Sequence, residues 1–326
     1  MDSIKQLFSP DFIKQYLARR APEFASQNDL SGLTITAIKS NIGNTSYHVV
    51  IRFDSAYLQD RPIFCSAHSD ENRENAFRAL TFIKKHSAGN PDFLWPCPLF
   101  FDKALNAIFY QGYDGNNLLH YIKDKACGIS DYLKKTACWT AMLHNIPIET
   151  AQNYNKENSR IKTIIPGPSK FLPKIEKTFP EFFKPIKKEF ERLVQEEEKN
   201  FANFDKLCLI HGDLHPENVI IAKAGEISII DFTDICLSDW ARDIGVFIQQ
   251  IGYMSEGLRS REEIAMHQSM FYAEYLKMRS IKETKEIENR VNLYKSWSAL
   301  RSAIYFLIKL HPEPENAKAV LKEISR

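Results

Sequence analysis

The stretch Leu209-Ile-His-Gly-Asp-Leu-His-Pro-Glu-Asn-Val-Ile-Ile221, followed shortly by Ile229-Ile-Asp-Phe232, decides how the rest of the chain is read. A short apolar run delivers His211, Gly212 and Asp213 into a loop, and four residues separate Asp213 from Asn218. A second apolar run turns over at Ala224-Gly225-Glu226 and returns as Ile227-Ser-Ile-Ile230 to present Asp231. Two short strands joined by a Gly-containing turn predict a hairpin, with Asp213, Asn218 and Asp231 gathered at one end of it. Asn218 and Asp231 are oxygen donors suited to Mg²⁺, a hard cation that keeps several waters and leans on substrate phosphates. Asp213 is a separate carboxylate, able to orient and deprotonate an attacking hydroxyl. The chemistry these three residues point to is phosphoryl transfer. His211 and His215 stand four apart, but Gly212 and Pro216 rule out the helix that a zinc pair would need.

The spacing His-x-Asp, four residues, Asn, then a strand-end Asp is that of the kinase catalytic loop. Here the run resembles the His-Gly-Asp-x-His-x-x-Asn of the aminoglycoside phosphotransferase and choline kinase group. That resemblance implies an α+β, two-lobed protein-kinase-like fold with a small antiparallel-sheet N-lobe and a larger, mainly helical C-lobe. It also implies an enzyme that moves the γ-phosphoryl group of ATP or GTP, with Mg²⁺, to a hydroxyl of a small molecule. The implied acceptors are aminoglycosides, choline-like amino alcohols and sugars, cationic ones included. Asp213 would be the base, Asn218 and Asp231 the metal ligands, and His215 a loop side chain near the phosphate path. The run Asp231-Phe-Thr-Asp-Ile-Cys-Leu-Ser-Asp-Trp-Ala-Arg-Asp243 is similar to the family's, with Asp239 and Asp243 read as braces that accept backbone N–H groups of the catalytic loop. Gly212 in place of the usual Arg, and no Gly after Asp231-Phe232, weigh against a protein kinase.

Composition is consistent with this and adds exclusions. An apolar fraction of 44% and a charged fraction of 26% are those of an ordinary globular protein. A net charge of +2, with Lys and Arg spread along the chain, argues for no nucleic-acid partner. The opening residues lack the plan of a signal peptide and no apolar run reaches membrane-spanning length, so no membrane association is expected. Six scattered cysteines without a C-x-x-C pair read as free thiols in a reducing cytoplasm.

Upstream of the catalytic stretch, residues 4–20 carry helical spacing with a break at Ser9-Pro10, an appendage on the first lobe. Leu33–Ile38 and Tyr47–Phe53 read as strands around the turn Asn41–Ser46, in which Gly43 and Asn44 would cover nucleotide phosphates with backbone N–H groups. Pro62–His68 is the third strand and Asp70–Lys85 an amphipathic helix. In the resembled families that strand carries a Lys or Arg on the phosphates, held by a carboxylate of the next helix, a role Glu74 can fill. Residues 62–68 contain no Lys or Arg; Arg52, Arg61 and His68 are nearest. This departure motivates an alternative reading, a nucleotide-binding pseudokinase or regulatory scaffold. The Gly-marked segment Tyr110, Gln111, Gly112 and Tyr113 looks like the hinge, with backbone groups for an adenine edge, and sets domains of 1–111 and 112–326.

Beyond the hinge the pattern is helical over Asn117–Lys125 and over Ser130–Asn145, with Ser130 as N-cap. Two further helices, 171–204, divide near Pro180, and Glu196-Glu-Glu-Lys199 reads as a solvated face. The remainder from Arg261 is all helical, and Tyr294, Trp297 and Tyr305 read as core residues by their spacing among apolar neighbours.

Overall fold

The computed structural model describes residues 2–22, 30–58, 60–86, 93–125, 128–148, 152–164, 166–202 and 207–324. The chain forms two compact units: Met1–Asn116 with Ile220–Thr233, and Asn117–Val219 with Asp234–Arg326. The second part of the first unit is the hairpin that ends on Asp231.

In the first unit, α1 (Asp2–Gln6) and α2 (Pro10–Arg20) are separated at Ser9, and Pro10 starts the second helix where its missing N–H costs nothing. Ile13, Tyr16 and Leu17 bury one face of α2. β1 (Thr34–Ile42) and β2 (Tyr47–Asp54) pair antiparallel, with a register shift at Ala37/Lys39. The turn predicted from Asn41 begins later, because Asn41 and Ile42 remain paired with His48 and Tyr47. Val49, Ile51 and Phe53 alternate into the core, as a half-buried strand requires. β3 (Ile63–His68) follows, and then α3 (Arg73–His86), which starts three residues after Asp70. β4 (Phe93–Leu94), β5 (Cys97–Asp102), β6 (Ala107–Gln111) and β7 (Gly115–Asn117) complete this part. The main sheet runs β1-β2-β3-β6-β5, antiparallel throughout.

The second unit opens with α4 (Leu118–Lys123), capped by the Asn117 side chain on the His120 N–H, and α5 (Ile129–His144). The predicted cap Ser130 lies inside α5; Gly128, at a φ of 95°, holds the N-cap position because the chain enters the helix through a left-handed turn open to glycine. α6 (Pro168–Thr178) and α7 (Pro180–Ala202) divide at Phe179. Glu197 of α7 is fully buried rather than solvated: Arg160, the Ile161 N–H and the Tyr294 hydroxyl all bind its carboxylate. β8 (Cys208–Ile210) leads into the loop that carries His211, Gly212 and Asp213. β9 (Val219–Ala222) and β10 (Ile227–Ile229) then form the hairpin, closed by Gly225 N–H on Ala222 O and Ala222 N–H on Glu226 O. A second sheet has the order β4-β10-β9-β7. Gly115 of β7 has no substitute, since a Cβ there would collide with the Ile221 carbonyl.

β11 (Cys236–Ser238) pairs antiparallel with β8, and α8 (Ala241–Ser255) runs on from it, buried along most of its length. α9 (Arg261–Met278) begins with a capping box of Ser260 and Glu263, α10 (Lys285–Ile308) with Thr284, and α11 (Pro314–Ile324) ends the described chain. Gly245 lets α8 approach the backbone of Val291 and Tyr294 closely. Tyr294 and Trp297 are core residues, but Tyr305 is 59% exposed, one position off the buried stripe of Ile304, Phe306 and Leu307. Cys65, Cys97, Cys138, Cys208 and Cys236 are free thiols; Cys127 lies outside the described residues. Among the described residues no helix is long and apolar enough to cross a membrane.

Candidate active site

The loop after β8 is built around a buried carboxylate. Gly212 has a φ of 85°, and a Cβ there would run into the backbone carbonyl of Asp234, so only glycine fits between His211 and Asp213. Asp243, in the first turn of α8, accepts the backbone N–H groups of His211 (2.7 Å) and Gly212 (2.9 Å). His144, at the end of α5, places Nε2 3.0 Å from the same carboxylate and Nδ1 2.7 Å from the Tyr275 hydroxyl. Burial pushes the His144 ring down, more than Asp243 raises it. Burial also opposes ionisation of Asp243, but His144, His211 and the Gly212 N–H outweigh it, and its pKa is lowered. A neutral His144 therefore donates from Nε2 to a charged Asp243 and accepts from Tyr275 at Nδ1. Asp239 braces a different part: it accepts the Ala241 N–H at 3.0 Å and pairs with Arg290.

Asp213 itself receives Arg301 of α10 at 2.8 Å, and the same guanidinium lies 3.6 Å from Asp234. Burial raises the Asp213 pKa, yet Arg301, then His215 and His211, hold its carboxyl well below the usual carboxylate range. His215 has Nε2 3.6 Å from Asp213. Burial lowers the pKa of its ring, but Asp213 and Glu217 raise it more, for a net upward shift. Asn218 donates from Nδ2 to the Asp213 backbone carbonyl at 3.0 Å and sits 3.1 Å from His215 Nε2. With Nδ2 so engaged, Oδ1 is the atom with lone pairs to offer a cation. Asp213, His215 and Asn218 are thus one cluster of the second unit.

Asp231 belongs to the first unit, just beyond β10, at a φ of 65° that non-glycine residues seldom adopt. It accepts the Thr233 hydroxyl at 2.7 Å and lies 3.6 Å from Arg73. Arg73, buried at the start of α3, also donates to Thr233 Oγ1 at 2.5 Å and pairs with Glu71 at 2.9 Å. Glu74, expected to hold the phosphate-binding cation, is exposed on the first turn of α3; Glu71 is the carboxylate that meets a guanidinium. Gly43 and Asn44 lie in the exposed β1–β2 turn, where the Gly43 N–H is already bound to Ser46 O at 2.8 Å. In the expected hinge, Tyr110 stacks on Phe64, Gln111 donates to Arg61 O at 3.2 Å and Tyr113 lies under the Arg61 guanidinium. The Gly112 N–H is engaged by Pro62 O at 2.9 Å, which removes it as a donor to adenine.

Among the described residues no group of three or more His, Cys, Asp or Glu could hold a metal ion. This is compatible with Mg²⁺, which needs one or two protein oxygens and completes its shell with water and phosphate. In the second unit Asn218 Oδ1, and in the first the half-exposed Asp231 carboxylate, are each an oxygen donor of the kind such an ion takes.

A family model described as "Phosphotransferase enzyme family" matches residues 34–280. The chain belongs to the phosphotransferase enzyme family. Solved structures give the fold. An ethanolamine kinase of Plasmodium vivax is 15% identical with a TM-score of 0.64, covering 97% of this chain and 88% of that one. A choline kinase of Cryptosporidium parvum Iowa II is 14% identical with a TM-score of 0.65, covering 97% and 94%. A spectinomycin phosphotransferase, solved with ADP and spectinomycin, is 15% identical with a TM-score of 0.54, covering 89% and 88%. No curated protein matches by sequence. The phosphotransferase has a protein-kinase-like fold, with an antiparallel-sheet N-terminal region and a mostly helical remainder.

Sequence reasoning did not single out Arg301 or Arg73, and it read His144 as a packing or capping residue at a helix end, as its buried place against Asp243 and Tyr275 has it. The signal for Arg73 was present. Arg73, Ala76, Leu80 and Ile83 share helical spacing, and all four are buried on α3, so an arginine occupies a core position of an amphipathic helix. Arg301 likewise interrupts an apolar run, Ala299-Leu300 before it and Ala303-Ile304 after.

Proposed function

We propose that this phosphotransferase moves the γ-phosphoryl group of ATP or GTP, with Mg²⁺, to a hydroxyl of a small molecule. The observation that carries the reading is Asp213: an ionised carboxylate on a loop whose backbone is fixed from beneath by Asp243. Asp213 would accept the hydrogen bond of the acceptor hydroxyl and take its proton as the oxygen attacks the γ-phosphorus. The bond from the γ-phosphorus to the bridging oxygen breaks, and the nucleoside diphosphate leaves. Asn218 and Asp231 would hold the magnesium, which neutralises charge on the phosphates when bound. His215 would stand by the phosphates without itself reacting.

The acceptor is proposed as an aminoglycoside, a choline-like amino alcohol or a sugar, bound by the helical remainder, residues 112–326, with the N-terminal part covering the nucleotide. Free thiols and the absence of a membrane-spanning helix among the described residues support a cytoplasmic protein.

A screen of phosphotransfer over aminoglycosides, choline, ethanolamine, amino sugars and homoserine, reading nucleoside diphosphate release, tests this against Asp213→Ala. Turnover of at least one acceptor, lost in Asp213→Ala, is expected. Magnesium-dependent nucleotide binding without turnover on any acceptor would instead favour the regulatory scaffold, whose motive is the third strand without Lys. No magnesium-dependent nucleotide binding at all would sink both.

A further inference from the structure

Phosphoryl transfer needs a protein cation on the nucleotide phosphates, and β3 offers none between Ile63 and His68. We propose that Arg73, entering from the start of α3, is the residue that grips the phosphates, in place of a strand-borne lysine. The inference rests on the kinase reading above.

The other cations near this strand are engaged or exposed elsewhere. Arg52 forms a bidentate pair with Asp54 and a second bond to Asp114. The Arg61 guanidinium stacks over Tyr113. His68 uses Nδ1 to accept the backbone N–H groups of Asp70 (3.0 Å) and Glu71 (3.1 Å), so it caps the β3–α3 connection. His48, paired with His68 across the sheet, is neutral, because burial with Lys39 and Arg73 nearby pushes its ring down to about 4. Lys39 is exposed on the edge strand β1.

Arg73 differs in three ways. It is buried, with 2% of its surface exposed, so its charge was desolvated at a cost that structure alone would avoid with an apolar residue. Its guanidinium lies 3.6 Å from Asp231 and 2.5 Å from Thr233 Oγ1, at the end of β10. Its Nε is buried without a hydrogen-bond partner, a donor left over after Glu71, Thr233 and Asp231 are counted. A phosphate oxygen sharing a Mg²⁺ with the Asp231 carboxylate would sit within about 4 Å of it, given metal–oxygen bonds of about 2.1 Å. A planar fork 3.6 Å from that carboxylate is then within reach of the same phosphate, and arginine is suited to gripping phosphate in two places.

Arg73 is held where this requires. Asn106, in the turn before β6, donates to His68 O (2.6 Å) and Glu71 O (2.7 Å) and accepts the Arg73 N–H (3.3 Å). The connection is thus pinned on both sides of Glu71, and Glu71 orients the guanidinium.

The test measures dissociation constants of Mg-ATP, Mg-ADP and adenosine by calorimetry on the full chain. Variants are Arg73→Gln, Arg73→Lys, Lys39→Ala, and Arg73→Gln combined with Ser66→Lys, which restores a lysine on β3 between Phe64 and His68 on the same face. Arg73→Gln should weaken both nucleotides by about 10- to 100-fold and leave adenosine unchanged, the scale of a charge-assisted pair. Arg73→Lys should weaken them less, Lys39→Ala not at all, and Ser66→Lys should recover part of the loss. Equal weakening of adenosine and ATP would make Arg73 a structural pin and overturn the proposal, as would unchanged ATP binding or a loss confined to Lys39→Ala. Where Arg73→Gln fails to fold by circular dichroism, Arg73→Lys decides: an unchanged ratio of ADP to adenosine affinity overturns it. A wild type that binds Mg-ATP no better than adenosine would fail the kinase reading itself, separately from Arg73.

Discussion

Arg301 donates to the Asp213 carboxylate at 2.8 Å, which places the proposed base under the control of a residue 88 positions later in the chain. The bond fixes one carboxylate oxygen and lowers the pKa of the group, leaving it ionised and aimed. Arg301→Met should therefore lower kcat by about 10- to 100-fold, from loss of one charge-assisted hydrogen bond, with Mg-ATP affinity within about twofold of wild type. Arg301→Lys should fall between. Steady-state kinetics with calorimetry would separate the two effects; a matching loss of nucleotide affinity would assign Arg301 to the nucleotide instead.

Asp243 serves two backbone donors and His144 at once, so its removal leaves buried groups unpaired. Asp243→Ala should cost about 3 kcal/mol or more of stability, from buried donors left without an acceptor, measured by denaturant unfolding. The same network sets an acid sensitivity. His144 has a folded pKa below its ordinary 6.5, and Asp243 one below its ordinary 3.8. In both cases the unfolded chain binds more protons, so stability is full above the ordinary value and is lost as pH falls through the folded one. The melting temperature should begin to drop as pH passes below about 6.5 and drop further in the carboxylate range. His144→Gln should flatten the first part of that decline and weaken the second, because His144 is the largest of the contacts that lower Asp243.

How much of this was legible in the sequence differs by element. The order of strand, Gly-Asp loop, hairpin and Asp was readable because each step has a local cause: apolar alternation, a required glycine, a turn. The bracing role of Asp243 was readable from its motif, whereas Asp239 turned instead to Arg290 and Ala241. Glu197 and Arg160 were not legible, since a Glu-Glu-Glu run reads as solvent-facing until a distant guanidinium is known to bury one member. Arg301, and the partner of His144, were invisible for the same reason: the paired residues lie 88 and 99 positions apart, and no local pattern encodes such a pair.

Gly212 offers a test of the loop that avoids its charged groups. Its φ of 85° and the nearby Asp234 carbonyl leave no room for a side chain. Gly212→Ala should destabilise the protein by at least about 1–3 kcal/mol from strained backbone alone. It should also reduce turnover more than nucleotide binding, because the shift is felt first at Asp213. Thermal melts paired with kinetics would check it, and a fully active variant of wild-type stability would contradict the steric account.

Asn106 reaches the phosphate-gripping arginine only through the backbone. It contacts the His68 and Glu71 carbonyls and the Arg73 N–H, in a left-handed conformation with a φ of 38°. Asn106→Gly keeps that conformation accessible while deleting the three hydrogen bonds, which isolates positioning from backbone strain. If those bonds hold Arg73 in place, Asn106→Gly should weaken Mg-ATP and Mg-ADP by about 3- to 10-fold, from loosened positioning of a charge that is still present. Adenosine affinity should not change, and in Arg73→Gln the added Asn106→Gly should have little further effect on the nucleotides. That non-additivity is the informative measurement: two residues acting along one path couple in a double-mutant cycle, whereas independent effects would add. Full additivity would mean that Asn106 supports nucleotide binding by a route other than Arg73.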